Sequence, residues 1–203
     1  MSEILHIDPF GGAAGDMLLG AFLDAGADEA RVREILAGLH LDGFRLEVTR
    51  DRQQGFAGTR AVVHADSGGH PARHFADVER LLAAAMLPGA VRERALAAFA
   101  ALFEAESAVH GVPLAATHLH ELAAVDAVVD IVGVVACVEL LKVERVSCGP
   151  VPVGSGSVQT QHGLLPVPPP AVAKLLEGIP IAGHAAAGEM TTPTGAALLR
   201  TIV

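Results

Sequence analysis

The sequence predicts a single mixed α/β domain, with short sheets and helices packed around them, and three observations carry that expectation. Helical and strand periodicities interleave along all 203 residues without an internal repeat. Apolar residues make up 51% of the chain, enough for one sizeable core, yet aromatics only 3%, with no Trp or Tyr, so the interior must be built from Ala, Leu and Val. Neither common nucleotide signature fits. The glycines near the N-terminus have the wrong spacing for a dinucleotide fingerprint, and no Lys-Ser/Thr follows them, so neither a Rossmann nor a Walker-type fold is expected.

Taken in order, Ile4-Leu-His-Ile7 reads as a short buried strand, followed by a Gly-rich turn and a helix with Leu18, Ala21, Phe22 and Ala25 at helical spacing. Gly26 should stop that helix, and Asp28 should cap the next one, whose inner face carries Val32, Ile35, Leu36 and Leu39. Phe44 to Val48 and Thr59 to Ala65 alternate as half-buried strands. A polar connector over 66–72 leads to helices near 75–85 and 90–109, split by Pro88-Gly89, and then to an apolar helix from about 121 to 141. Beyond it, Val143 to Val146 reads as a strand and Pro150 to Val158 as a Gly-punctuated loop or edge strand. Pro168 to Pro170 reads as the start of a short helix, and Thr194 as the cap of a last helix running to Val203.

Charge and cysteine content exclude several classes. A net charge of −9, a pI near 5.5 and few aromatics argue against nucleic-acid binding, which selects basic surfaces and stacking platforms. Two cysteines, Cys137 and Cys148, make no disulfide framework and fit a reducing cytoplasm; Cys137 reads as core, whereas Cys148 could also be a soft metal ligand. No signal peptide or membrane span is evident, so a soluble cytoplasmic protein is expected. The apolar C-terminal end suggests a partner surface and hence a homo-oligomer.

The chemistry concentrates in residues 117–133, where His118, His120, Glu121, Asp126 and Asp130 border an otherwise apolar run. Carboxylates in such surroundings either take up a proton or find a cation, and neighbouring imidazoles make a divalent transition metal a natural partner. Asp126 and Asp130 would share one helix face, and His118 and His120 one side of an extended segment. The bland alternative, in which Glu121 caps the helix and the aspartates bind main-chain amides or arginines, stays open at this point. Asp8-Pro-Phe-Gly-Gly-Ala-Ala-Gly-Asp16 offers Gly11, Gly12 and Gly15 as a phosphate cradle, with Asp8 and Asp16 suited to Mg²⁺ or Mn²⁺; a tight packing turn is the alternative. His162 is a further candidate ligand. Thr191, Thr192 and Thr194 offer hydroxyls at a helix start, a second place for an anion.

Four motifs, Asp8 to Met17, His118 to Gly133, His162 to Pro168 and Glu189 to Gly195, together resemble the LarC family of nickel-insertion proteins, in order and over essentially the whole chain. The resemblance implies insertion of Ni²⁺ into pyridinium-3,5-bisthiocarboxylic acid mononucleotide, forming two Ni–S bonds and one Ni–C bond. CTP is consumed with Mg²⁺ or Mn²⁺, and the product is the nickel-pincer cofactor of lactate racemase. For that reaction the residues suggest a metal set of His118, His120, Glu121, Asp126 and His162, acid–base roles among Glu121, Asp126 and Asp130, and phosphate contacts from the Gly-rich and Thr-rich segments. Residues 1–203 then correspond to the N-terminal nickel and substrate domain, without the C-terminal domain associated with the nucleotide. Two rivals remain at this stage: a nickel metallochaperone subunit that needs a separate nucleotide-binding chain, and a metal-dependent phosphoesterase.

Overall fold

The computed structural model describes residues 3–53, 55–65, 73–119, 125–160, 162–183 and 186–203. They form a mixed α/β domain whose sheets, among the described residues, are all two-stranded. Strand β1 (Ile4–Ile7) runs parallel to β6 (Arg145–Cys148), pairing Ile4 with Arg145 and Ile7 with Cys148. The second strand therefore begins two residues later than its apolar pattern suggested, because the backbone partner and not the side chains sets the register.

Helices α1 (Gly15–Asp24) and α2 (Glu29–Ala37) follow β1. The Asp28 carboxylate accepts from the amides of Ala30 and Arg31, the expected cap. Gly26, at φ +110°, sits just past the α1 C-cap Ala25. Next, β2 (Phe44–Gln53) and β3 (Phe56–Ala65) form an antiparallel hairpin. Both strands exceed their predicted lengths, because the outer ladder around Arg50 to Arg52 is exposed and carries no apolar alternation to read.

After β4 (Arg73–His74) come α3 (Phe75–Ala84) and α4 (Gly89–His110). The Arg92 guanidinium ties their junction by donating to the carbonyls of Leu82, Ala85 and Leu87. Gly111 ends α4 in the left-handed conformation, at φ +65°. A 3₁₀ turn, Leu114–Ala116, leads into β5 (His118–Leu119), antiparallel to β4.

Helix α5 (Val125–Leu141) is the centre of the molecule. Its Val, Ala and Ile residues are buried around the whole circumference, and α1, α2, α4, α7 and β3 pack on it. The first stretch of the helix expected over 121–141 lies outside the described residues. Gly133 lets α1 approach closely, since a Cβ there would stand 3.1 Å from Leu19.

The last third of the chain is irregular. Strands β7 (Val151–Pro152) and β8 (Gly154–Ser155) pair with β11 (Ile181–Ala182) and β12 (Gly188–Glu189), respectively. Strands β9 (Ser157–Thr160) and β10 (Gly163–Pro166) form a hairpin, and α6 (Pro170–Leu175) follows. Helix α7 (Pro193–Ile202) is capped by Thr192 and not by the expected Thr194: the Thr192 hydroxyl accepts from the Gly195 amide at 3.2 Å. Proline occupies the first helical position because its missing N–H is an orphan there anyway, which places the cap at Thr192, two residues before the expected Thr194. Among the described residues no helix is long and apolar enough to cross a membrane.

Candidate functional site

A cavity of about 800 Å³ opens where the C-terminal end of α4, β5, the β9–β10 hairpin, α6 and the start of α7 meet. Its walls are largely apolar, with Val109, Leu119, Leu165 and Pro170 among them, and into them are set three imidazoles and two carboxylates: His110, His118, His162, Glu106 and Glu189. Each arrives by a different local device. His118 is carried by the β4–β5 ladder, where it pairs with His74, the two rings 5.9 Å apart centre to centre. The His74 Nδ1 lies 3.0 Å from the Thr117 carbonyl. His162 sits in the hairpin turn, its amide donating to the Thr160 hydroxyl at 3.1 Å. Glu189 is half-buried on β12, and that burial raises its carboxyl above the usual range. Thr192 and Pro193, at the amino end of α7, complete the wall.

The Gly-rich loop is a different kind of place. The Gly12 amide donates to the Pro9 carbonyl at 2.8 Å, and Ala13 bridges to the 190–192 segment in both directions, donating to Met190 and accepting from Thr192. A Cβ at Gly12, whose φ is +101°, would stand 2.0 Å from the Met190 carbonyl oxygen, and one at Gly195 would stand 2.1 Å from that of Ala13. A Cβ at Gly15 would meet the Asp130 carboxylate at 2.6 Å. These glycines are required for close packing of the loop on α5 and α7, and two of the amides that would cradle a phosphate already have protein partners.

Beside this seam lies an acidic group. The Asp130 Oδ1 is buried with no hydrogen-bond partner, and burial first, then the charges of Asp16 and Asp126, push its pKa up to about 7. Asp126 is exposed in the first turn of α5. Asp16 lines a second cavity of about 480 Å³ with Asp24, Asp51 and Arg60, and its carboxylate also accepts from the Met17 amide. Asp8 is exposed near Cys148, whose thiol is raised by burial and by the Asp8 charge. Burial holds Cys137 on α5 as a neutral thiol, pushed up to about 12.

The predicted residues thus divide. His118, His162 and Thr192 share the large cavity. Asp126 and Asp130 come together with Asp16 and Gly15 at the α1–α5 seam. Thr191 is fully buried, its hydroxyl donating to the Pro152 carbonyl at 2.7 Å, and Thr194 is buried in the first turn of α7. Gly11 and Asp8 flank the loop on its open side. His120 and Glu121 lie outside the described residues. Sequence reading passed over His110, Glu106 and Glu189. The first two form an acid–imidazole pair one turn apart at a helix end, a detectable signal, and Glu189 opens a quoted motif without having been given a role. Among the described residues no three His, Cys, Asp or Glu side chains form a ready metal-binding group.

Imidazoles and carboxylates are the side-chain types that first-row divalent cations prefer. The family model for nickel insertion proteins matches residues 5–203, and the chain belongs to that family. A putative nickel insertion protein of Thermomicrobium roseum is 50% identical over 200 residues, covering 97% of this chain and 49% of the relative. The pyridinium-3,5-bisthiocarboxylic acid mononucleotide nickel insertion protein of Desulfitobacterium hafniense DCB-2 is 45% identical over 194 residues, covering 96% of this chain and 48% of the relative. A putative nickel insertion protein of Myxococcus xanthus is 44% identical over 204 residues, covering 100% and 52%. The chain therefore spans about half the length of the curated relatives it matches. No solved structure matches it.

Proposed function

We propose that this chain carries the nickel and substrate half of a cyclometallase, which inserts Ni²⁺ into pyridinium-3,5-bisthiocarboxylic acid mononucleotide with consumption of CTP, in the cytoplasm. The product would be the nickel-pincer cofactor used by lactate racemase, and the reaction a lyase-class step. The observation that carries the reading is the chamber that places His118 and His162 beside two carboxylates in a member of the nickel insertion protein family. Its volume lies within the roughly 300–1,000 Å³ of small-molecule sites.

In this reading Ni²⁺ is a substrate, held by His118 and His162 with His120, Glu121 and Asp126 as further candidates. Imidazole and carboxylate bind it less tightly than two thiocarboxylate sulfurs, so ligand exchange moves it onto the mononucleotide. The ring proton lost on forming the Ni–C bond passes to a carboxylate: Glu121, or Glu189, which burial makes more basic. The substrate phosphate is assigned to the amino end of α7, where Thr192 reaches the chamber. The acidic group of Asp16, Asp126 and Asp130, with Asp8 nearby in sequence, is assigned to the Mg²⁺ or Mn²⁺ that accompanies CTP, with Gly11, Gly12 and Gly15 shaping the loop beside it. The orphaned Oδ1 and raised pKa of Asp130 favour that assignment, since a hard divalent cation would relieve both.

In a second reading, the chain binds nickel and the substrate but needs another polypeptide for CTP. One experiment separates them. The chain is incubated with Ni²⁺, Mg²⁺ or Mn²⁺, CTP and the bisthiocarboxylate mononucleotide, with and without the remaining half of a full-length relative. Nickel-bearing product, read by mass spectrometry, is expected; its appearance only with the supplement makes this chain a half-enzyme, and its absence in both arms contradicts the insertion reading.

A further inference from the structure

The chamber contains donors that the nickel reading above does not use. His110 closes α4, and Glu106 stands one turn earlier with its Oε2 3.2 Å from His110 Nε2. A glutamate–histidine pair at this spacing is ordinary on a helix. What the helix does not explain is a second imidazole brought against it by a separate hairpin. The His162 ring lies 4.9 Å from the His110 ring, centre to centre, tilted by 52°. The turn that presents it is fixed, because the Thr160 hydroxyl accepts from the His162 amide and donates to the Gly163 carbonyl, each at 3.1 Å.

Two physical points turn this pair into a site. With the Glu106 carboxylate 3.2 Å from Nε2, Nδ1 is the His110 nitrogen left to offer a lone pair to a cation, and a carboxylate beside the other nitrogen is the arrangement that orients metal-bound histidines. With metal–nitrogen bonds of about 2.0–2.1 Å, two imidazoles sharing one ion at a cis or tetrahedral angle place their ring centres about 4.5–5.2 Å apart. The observed separation falls inside that interval. By contrast, the His74–His118 rings, at 5.9 Å, are wider than such an angle allows.

We infer that His110 and His162 together bind a first-row divalent transition cation as two cis imidazole donors on the chamber wall, with Glu106 as a positioning residue for His110. The inference rests on the nickel reading and deepens it, because it adds His110 to His162 among the donors from which the ion is handed over. Two protein donors leave the other coordination positions open. A closed shell would retain the ion, whereas an open pair can surrender it to softer sulfur donors. The side-chain exposures suit the roles: Glu106 is 16% exposed and held by the wall, while His110 is 41% exposed and reaches into open space.

The test is calorimetric titration of the full chain with Ni²⁺, alongside visible absorption with Co²⁺. His110→Gln and His162→Gln are each expected to weaken nickel binding at least about tenfold, and the double variant to lose little more than either alone. His64→Gln, on β3 and paired with Glu47, serves as the unaffected control. Glu106→Gln should weaken binding about 10- to 100-fold, the usual cost of losing an orienting partner, and change the cobalt ligand-field bands while leaving the melting temperature in place. Should a variant fail to fold, the wild-type chain still answers: cobalt must shift or broaden the ring resonances of His110 and His162 and spare those of His64. Unchanged nickel affinity in His110→Gln, or unshifted His110 and His162 rings, overturns the site, as does a wild-type chain that binds no nickel. If the pair binds nickel but no cofactor product forms with the remaining half of a full-length relative supplied, the insertion reading falls and this site stands. Product formed at the wild-type rate by His110→Gln with unaltered nickel affinity has the opposite meaning.

Discussion

Two regions of this molecule look alike in sequence and differ in structure. The Gly-rich loop with its flanking aspartates and the segment around His118 both crowd ionisable residues against apolar runs. In the fold, the loop is packed: Gly12 admits the Met190 carbonyl and Gly15 the Asp130 carboxylate where a Cβ could not fit. The chamber is open: His110, His118 and His162 line a cavity of about 800 Å³. Glycine in a motif can therefore serve approach between protein segments as well as approach to a ligand, and only the neighbours decide which.

The largest effect separating the two regions is expected from Gly12→Ala. It forces a left-handed backbone on alanine and a Cβ onto the Met190 carbonyl, so stability should fall by more than about 3 kcal/mol in denaturant titration. His162→Ala, in the chamber, should stay within roughly 1 kcal/mol of wild type. Similar losses for both would erase the distinction between a packed seam and an open site.

Next is Asp130. Its folded pKa, about 7, lies above its ordinary 3.8, so the fold prefers the protonated form. That advantage is complete below about pH 4 and is lost as pH rises through 7. Wild-type stability should decline between pH 5 and 8 by roughly 2–4 kcal/mol, and Asp130→Asn should flatten that slope. A wild-type curve rising over this interval would contradict a buried, unpaired carboxyl. Saturating Mg²⁺ should shrink the same slope if the acidic group accepts the cation.

A smaller effect tests the chamber itself. Replacing His118 and His162 together with Gln should weaken Ni²⁺ binding by at least about 100-fold, near 2.7 kcal/mol, while Asp16→Asn changes it little. Smallest is Thr192→Ala, which removes the α7 cap and should cost about 1 kcal/mol of stability, while weakening affinity for the phosphorylated substrate.

Much of the fold was legible. The α2 cap, the break between α3 and α4, and the all-round apolar α5 each rest on local chemistry that survives folding. What was not legible depended on partners distant in sequence: the outer ladder of the β2–β3 hairpin, the start of β6, and the short strands that pair residues 151–160 with 163–189. The site divides in the same way. His118 and His162 announced themselves by motif, but the convergence of His110 and Glu189 with them needs the α4 end and β12 to meet, which no spacing encodes. Pro193 sets the helix cap at Thr192 and not at Thr194, two residues later, although the rule is a local one.

The central claim is that the chamber, and not the Gly-rich loop, receives nickel. Anomalous diffraction at the nickel edge from crystals of the chain grown with one equivalent of Ni²⁺ tests it directly. The account predicts a peak within about 2.0–2.2 Å of imidazole nitrogen on the chamber wall. A peak between Asp16 and Asp130, with none near His110, His118 or His162, would contradict it.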